Sequence, residues 1–441
     1  MMVEVGFAQL ALPVPPGQPM MGHTRDDYGA TGTHDPLLCK AIVWVWNNRL
    51  VGLVTLDLCM VDASFVDEAK EKITESTGIT GESMLICATH THSGPAVFSL
   101  YEAPVMEKGV REAIIDTIAR CVGAAKAAKR TASFSYGTAE CGEQIGFYRR
   151  LRRRDGSTAM NWEAAGEEDI LGPWGTFDAK VRVLGIKGDG LHLCVVNYPL
   201  HPAILDYTNS LYSRDYPGYL EKALKQMMGD QLQVVFANGL CGTINHIDYR
   251  DRDMPRRGYA AAQRVGYVLA AAVVEALRDS TPIEVSGIGK KATTVALERI
   301  QVPKELEQKA KDTLAMQKDP IPTVTDGLPF ELQSPLICRL AEIAHSALDA
   351  RLSVTRLGPL YLFGFPGEMA YELQKLLGES LGDIPWMAIE LADDAIGYVA
   401  HREAYAQGGY ETQVGATKVA AGSGERLVRQ ALDLYGNLHE Q

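Results

Sequence analysis

No CxxC pair occurs among the eight cysteines, which are scattered at 39, 59, 87, 121, 141, 194, 241 and 338. Their neighbours are mostly apolar, as in Leu58-Cys59-Met60 and Ile86-Cys87-Ala88. That pattern excludes a cysteine-based zinc finger and a disulfide framework, and it suits buried free thiols in a reducing compartment. Basic charge is also short. Lys and Arg number 43 against 55 Asp and Glu, a formal net charge of −12. An acidic chain with no dense basic run makes a poor nucleic-acid binder. Its one basic cluster is Arg149, Arg150, Arg152, Arg153 and Arg154. As a whole that cluster reads as a solvated turn before Asp155-Gly156. No segment offers the ~18 consecutive apolar residues of a membrane span, and the first twenty residues lack the basic start and apolar stretch of a signal peptide. A cytoplasmic location is expected. With Gly 42 and Pro 21 the chain is neither collagen-like nor of low complexity.

What remains is ordinary globular material: 441 residues, 46% hydrophobic and 22% charged. A chain of this length buries roughly 75% of its extended surface. Residues 1–40 are rich in turns. Residues 41–59 read as two strands joined at Asn47-Asn48, and residues 63–77 suit a helix. A buried strand is expected over 84–90 and a helix over 108–129. Further strands are expected at 191–201 and 232–239, then a long Ala-rich helix at 258–278. A strand pair follows at 354–367, and then a helix carrying Met369, Leu373, Leu376, Leu377 and Leu381. Neither a repeat nor a clean linker divides the chain. The expected fold is one α/β body over 1–441, with mixed sheets flanked by helices and a surface excursion at 303–335.

The sharpest local feature is Ala88-Thr89-His90-Thr91-His92-Ser93-Gly94-Pro95. Two His at i and i+2 on extended backbone share a face, and neutral imidazole is a common zinc ligand. The pair either caps a turn or forms half of a metal site. The flanking Thr residues, Ser93 and the Gly-Pro turn favour the site. Three other strand ends repeat the pattern: His201-Pro202, Asn238 to His246, and Pro366-Gly367-Glu368. Ligands gather at strand ends in α/β sheets, so these ends are expected to converge.

These residues resemble the catalytic domain of the neutral/alkaline non-lysosomal ceramidases. ATHTHSGP carries most of the likeness. Ala30 to Leu37, residues 53–58, Ser213-Arg214-Asp215-Tyr216-Pro217-Gly218, Pro366-Gly367-Glu368 and Gly397-Tyr398-Val399 followed by Tyr410-Glu411 match in order. The resemblance implies a Zn²⁺ ion held by His90, His201, Glu368 and Tyr398. It makes His92 a substrate partner and no ligand, and Arg149 and Tyr410 active-site residues, with Tyr148 standing where the family has an Asn. A set of two His, one Glu and one Tyr oxygen suits zinc.

The chain departs from the family at one position that matters. The serine-bearing G-D-V-S-P-N hexapeptide is here Gly242-Thr243-Ile244-Asn245-His246-Ile247. An amide cannot act as the serine does, although Asn245 could donate a hydrogen bond from the same place. The chain also stops soon after Tyr410, where the long ceramidases continue into a further domain. Ceramide is therefore not the expected substrate. A small soluble amide or ester is, hydrolysed by metal-activated water with His92 moving a proton and Arg149 orienting the substrate. Asp215 reads as a turn-former. No nucleic-acid partner is expected, and a homo-oligomer is left open. Two alternatives stand beside this reading. One is a (β/α)₈ amidohydrolase using His90, His92, His201, His246 and Asp393. The other is a zinc-bound, non-catalytic ceramidase-like scaffold.

Overall fold

The turn at Asn47-Asn48 shows how local chemistry starts the sheet. Both residues adopt left-handed backbone, at φ 49° and 64°, the conformation a two-residue hairpin turn demands and asparagine tolerates. Leu38–Trp46 and Arg49–Leu56 pair antiparallel on either side of it. The structure, a computed structural model, describes residues 3–100, 103–141, 145–163, 168–251, 253–316 and 329–439.

The large sheet runs in the order Leu232–Asn238, Leu191–Tyr198, Lys180–Gly188, Arg130–Glu140, Glu4–Ala11, Leu38–Trp46, Arg49–Leu56, Met84–Ala88. Its two outer pairs are parallel and the inner pairs antiparallel. A (β/α)₈ barrel needs eight parallel strands, so this topology removes the amidohydrolase alternative. Asp393, which completed that alternative's ligand order, instead accepts from the Ile86 amide and pairs with Lys290 and Lys70 at 3.3 and 3.4 Å. A second sheet contains Ile288–Leu297, Leu348–Leu357, Leu360–Gly364 and Trp386–Ile389.

Period-two alternation sorts the apolar residues of the large sheet into two cores. Val43, Val54, Ile86, Val183, Cys194 and Val234 face one way, against helices. Ile42, Leu53, Leu85, Leu184, Val195 and Val235 face the other way, against Leu357, Leu360, Leu362 and Met387 of the second sheet. That sheet's outer residues Val354, Phe363 and Ala388 pack with the helices Tyr371–Leu381 and Ser423–His439. The result is four layers: helices, sheet, sheet, helices.

Ala63–Thr77 begins at Asp62, whose carboxylate accepts from the Phe65 amide at 3.2 Å, and ends at Gly78 at φ 66°. Such caps satisfy groups the helix cannot. The helix read over 108–129 is Lys108–Ala127. Met369, read as helical, belongs to the short strand Glu368–Met369 ahead of Tyr371–Leu381. Gly258–Arg278 is long and apolar enough to cross a membrane by length and composition, with a mean hydropathy of 1.3, against the expectation that no segment is. Its Ala262, Val265, Leu269, Val273 and Ala276 are buried in the α/β core. Within 303–335, Lys304–Met316 packs on Phe330–Ile343, and residues 317–328 lie outside the described residues.

The large sheet curls until its edges meet: Leu232–Asn238 touches Arg49–Leu56 and Met84–Ala88. Chain ends far apart in sheet order thereby open at one place. Close packing of the helix layer permits this only where side chains are small. A β-carbon on Gly6 would lie 1.8 Å from the carbonyl oxygen of Ala125, whereas one on Gly109 meets nothing within 4 Å. Gly6→Ala is expected to destabilise the fold by roughly 2–3 kcal/mol through overpacking against backbone, read as a lower urea midpoint. Gly109→Ala should leave the midpoint unchanged or raise it.

Candidate metal centre and its cavity

The strand Met84–Ala88 stops before His90, which sits at φ 73°. The two histidines therefore do not share a face by extended-strand alternation, as the spacing suggested. The turn brings them together instead, with their Nε2 atoms 3.4 Å apart. His90 is held by its own amide, which donates to Leu58, and by Nδ1, 2.9 Å from the Cys59 carbonyl. A carbonyl can only accept, so Nδ1 carries a hydrogen and Nε2 is the nitrogen turned towards Glu368. Burial opposes charge on this ring, but Cys59 and Glu368 raise it well above the usual histidine range, so without an ion Nε2 holds a proton where a cation would sit.

His201 follows the carboxyl end of Leu191–Tyr198 and repeats this arrangement. Its Nδ1 is 2.9 Å from the Cys241 carbonyl, which leaves Nε2 as an acceptor. Glu368 follows the carboxyl end of Leu360–Gly364. Its short strand pairs in parallel with Tyr398–Val399, setting Glu368 beside Tyr398. The Glu368 carboxylate lies 3.1 Å from His201 Nε2 and 3.4 Å from His90 Nε2. The Tyr398 hydroxyl lies 3.3 Å from His201 Nε2. All four residues are buried.

This arrangement fits a metal ion. Lone pairs that face one another at such distances repel unless a cation or proton lies between them. Ligands at ~2.0–2.1 Å from a tetrahedral zinc are about 3.3 Å from one another, the spacing found here. His201 is pushed down to about 4 by burial and by the Arg149 guanidinium, so it is neutral, as a ligand must be. Burial opposes charge on Glu368, but His201 and His90 hold its carboxyl below the usual range. Burial raises the Tyr398 phenol well above its usual value. The donor atoms of His90, His201 and Glu368 lie within 4.8 Å of one another, and His92 does not join them. Cys59 forms a second such set with His90 and His92. Its thiol lies 3.8 Å from the Nδ1 side of His90, behind the ring, and burial raises its pKa.

The other expected residues surround this centre. His92 packs edge-on to His90, and its Nδ1 is buried without a hydrogen bond. Gly22 makes room for it: at φ 107°, a β-carbon there would come within 2.4 Å of the His92 ring. Arg149 donates Nε to Glu411 at 2.6 Å, places Nη1 3.4 Å from His201 Nε2, and lies over the Trp162 and Tyr398 rings. Tyr410 packs between Tyr398 and Trp162. Arg149 and Arg150 are 4% and 0% exposed, which corrects the reading of 149–154 as one solvated turn. Arg150 donates to the Gly408 carbonyl at 2.7 Å and so braces the segment that carries Tyr410.

Asn245 lines the same cavity, and its amide is engaged. Asn161 and Asn245 exchange hydrogen bonds at 2.7 and 2.8 Å, and the Ile247 amide also donates to Asn245. His246 lies in the cavity wall and is tied to the Arg256 carbonyl at 2.6 Å. Asp215 caps the helix Tyr216–Met228 and accepts from the Leu205 amide, which is the structural role read for it. The cavity encloses about 190 Å³, and Met20, Met60, Phe98, Leu100 and Leu332 form part of its apolar wall.

Sequence reasoning passed over His23, Asn161, Trp162, Glu411 as the partner of Arg149, and Glu390. His23 packs 4.7 Å from the His92 ring. Glu390 is fully buried, raised to about 7 by desolvation, and accepts from the amide and thiol of Cys241, whose carbonyl holds His201. Each sits on a loop or is partnered across a long stretch of chain. The one available signal was Glu411, next to Tyr410.

Fold and site together define a four-layer α/β protein with a His, His, Glu, Tyr donor set at its strand ends. The family model described as neutral/alkaline non-lysosomal ceramidase, N-terminal, matches residues 13–251, and the chain belongs to that hydrolase family. The whole chain also superimposes on the neutral ceramidase of Pseudomonas aeruginosa, at TM-score 0.74 and 19% identity, covering 75% of that protein. A structure described as ceramidase complexed with C2 gives 0.73, 18% and 76%, again with all of this chain. At these identities the superpositions show the fold.

The donor set makes a direct prediction. Purified protein should carry one divalent transition-metal ion per chain by elemental analysis. His201→Ala should lose most of it. Tyr398→Phe should lose less, because water can fill the position of a phenol. Full occupancy in His201→Ala would overturn the assignment.

Proposed function

We propose that this chain is a zinc-dependent hydrolase that cleaves a C–N amide bond of a small soluble substrate. The observation that carries the reading is the convergence of His90 and His201 Nε2, the Glu368 carboxylate and the Tyr398 hydroxyl, all buried, with His201, Glu368 and Tyr398 lining one cavity. Zinc bound there would polarise a carbonyl and lower the pKa of water towards ~7. The chain's own groups would do the rest. Arg149, fixed by Glu411, has a buried Nη2 with no hydrogen-bond partner, ready to hold a carbonyl oxygen. Burial and the nearby His23 hold His92 well below the usual histidine range, so the ring is neutral. It would take the proton from the attacking water at its lone-pair nitrogen and return it to the leaving amine.

Asn245 would act as an orienting amide. Its oxygen already accepts from Asn161 and from the Ile247 amide, so only its N–H can serve the substrate. No nucleophilic side chain takes the place of the family's serine at that position. The eight unpaired thiols, seven of them buried, suit a reducing compartment such as the cytoplasm. The zinc-bound, non-catalytic scaffold is the second reading. The unsatisfied Nη2 of Arg149 and Nδ1 of His92 favour catalysis over it, since a purely structural site has no reason to leave buried polar atoms unused.

The test is an activity screen of zinc-loaded protein on short N-acyl compounds, with metal content measured on the same preparation. Chelation should abolish turnover and serine-directed covalent inhibitors should leave it intact. His92→Ala should keep its metal and its fold while kcat falls by roughly 10²–10⁴-fold. Loss of metal in parallel with activity would make His92 a ligand. Unchanged kcat would remove it from the chemistry. Absence of any metal-dependent turnover would leave the scaffold reading.

A further inference from the structure

The cavity has three charged side chains in its described wall: Glu368, Arg149 and Lys418. Two are matched. Glu368 faces His90 and His201, and Arg149 is paired with Glu411 at 2.6 Å. The Lys418 side chain has neither a hydrogen bond nor an ion pair among the described residues. It is half-buried, on a segment locked against the metal centre. The Tyr398 amide donates to the Ala416 carbonyl, Tyr398 bridges Thr417, and the Ile300 amide donates to the Lys418 carbonyl. The Lys418 stem runs over Gly397, with Cε 3.9 Å from where a β-carbon on Gly397 would lie. Gly397 directly precedes Tyr398, and Lys418 lines the same cavity as Gly397 and Tyr398.

An ammonium taken partly out of water without a counter-charge is costly. Burial lowers the pKa of Lys418, and its charged surroundings do little to restore it: Asp394 acts for the charge, and Arg299 and Arg339 act against it. Asp394 is already engaged by the Ala63 and Ala395 amides. In a chain of formal charge −12, an unmatched cation in the wall of the candidate active site marks where a ligand brings negative charge. One lysine is a single point charge. It suits a monoanion, whereas a phosphate dianion would call for more donors. The apolar wall around Met20, Met60, Phe98, Leu100 and Leu332 asks for an apolar body on the same molecule.

We propose that Lys418 is a specificity-determining residue that binds a substrate carboxylate, and that the substrate class is N-acyl amino acids. This rests on the reading of the centre as an amide hydrolase. It adds a requirement that reading does not make, namely a carboxylate a few bonds from the scissile C–N bond.

The test compares an N-acyl amino acid with its N-acyl alkylamine twin, identical but for the carboxylate, on zinc-loaded protein. A charge-assisted hydrogen bond predicts roughly a 10- to 100-fold preference in kcat/KM for the acid. In Lys418→Met the preference should fall to near one, with the loss in the KM of the acid. Lys418→Arg should recover part of it. Equal turnover of the twins by the unmodified protein would overturn the proposal. So would a preference that survives Lys418→Met, or a parallel fall for both twins. If neither twin is turned over, the amide-hydrolase reading fails and the carboxylate site is decided by calorimetry with the same pair. Binding of the acid at least about tenfold tighter, lost in Lys418→Met, sustains it. Equal binding of the twins refutes it.

Discussion

Everything about this site depends on one electrostatic constraint. Two imidazole Nε2 atoms, a carboxylate and a phenol oxygen converge inside the protein, with Glu368 3.1 Å from His201 and 3.4 Å from His90, and Tyr398 3.3 Å from His201. Such a cluster is unfavourable alone, because each buried acceptor raises the cost of the next. The fold supports it from behind. Carbonyls of Cys59 and Cys241 fix the two histidine tautomers, and Glu390 holds Cys241 in turn. These backbone partners orient the two rings within the folded chain, the pre-arrangement a metal site would need.

The architecture explains how residues at 90, 201, 368 and 398 come to meet. Each long-range ligand follows the carboxyl end of a strand with a parallel neighbour: Met84–Ala88, Leu191–Tyr198 and Leu360–Gly364. The fourth sits directly on a short parallel pair, Glu368 beside Tyr398. Parallel pairing aligns carboxyl ends, and the curl of the large sheet brings its two edges together. The antiparallel strands between them build the wall that makes this curl possible and contribute none of the four ligands.

Much of this was legible in the sequence, for physical reasons that can be named. The hairpin at Asn47-Asn48, the helix Ala63–Thr77 and the buried strand at Met84 declare themselves through local turn chemistry, a cap and a short apolar run. The four donor residues were legible through a family pattern, and the structure brings them together. What escaped depends on distance along the chain. Asn161 matters because it faces Asn245, 84 residues away, and nothing near Asn161 says so. Arg150 lies in a run of arginines that looks solvent-exposed, yet it is fully buried because Gly408 and Ala404 offer carbonyls. The left-handed backbone of His90 was equally hidden, since histidine carries no local signal for it. A correct inference of proximity for His90 and His92 was thus reached from the wrong backbone geometry.

Asn245 stands where the family pattern has a serine, and its amide is held on both sides. An isolated asparagine in the place of a serine would leave a buried amide with two donors and an oxygen to satisfy. Asn161 meets that demand by a reciprocal pair of hydrogen bonds, and the short strand pairing of Asn245 with Phe147 holds the backbone in place. The same pairing sets Arg149, two residues beyond Phe147, whose amide donates to the Thr243 carbonyl. The hexapeptide that bears the family's serine therefore serves here as a brace. It positions a guanidinium over the centre and fixes an amide at the cavity wall. The pairing of Asn161 with Asn245 fits a site held to a defined shape.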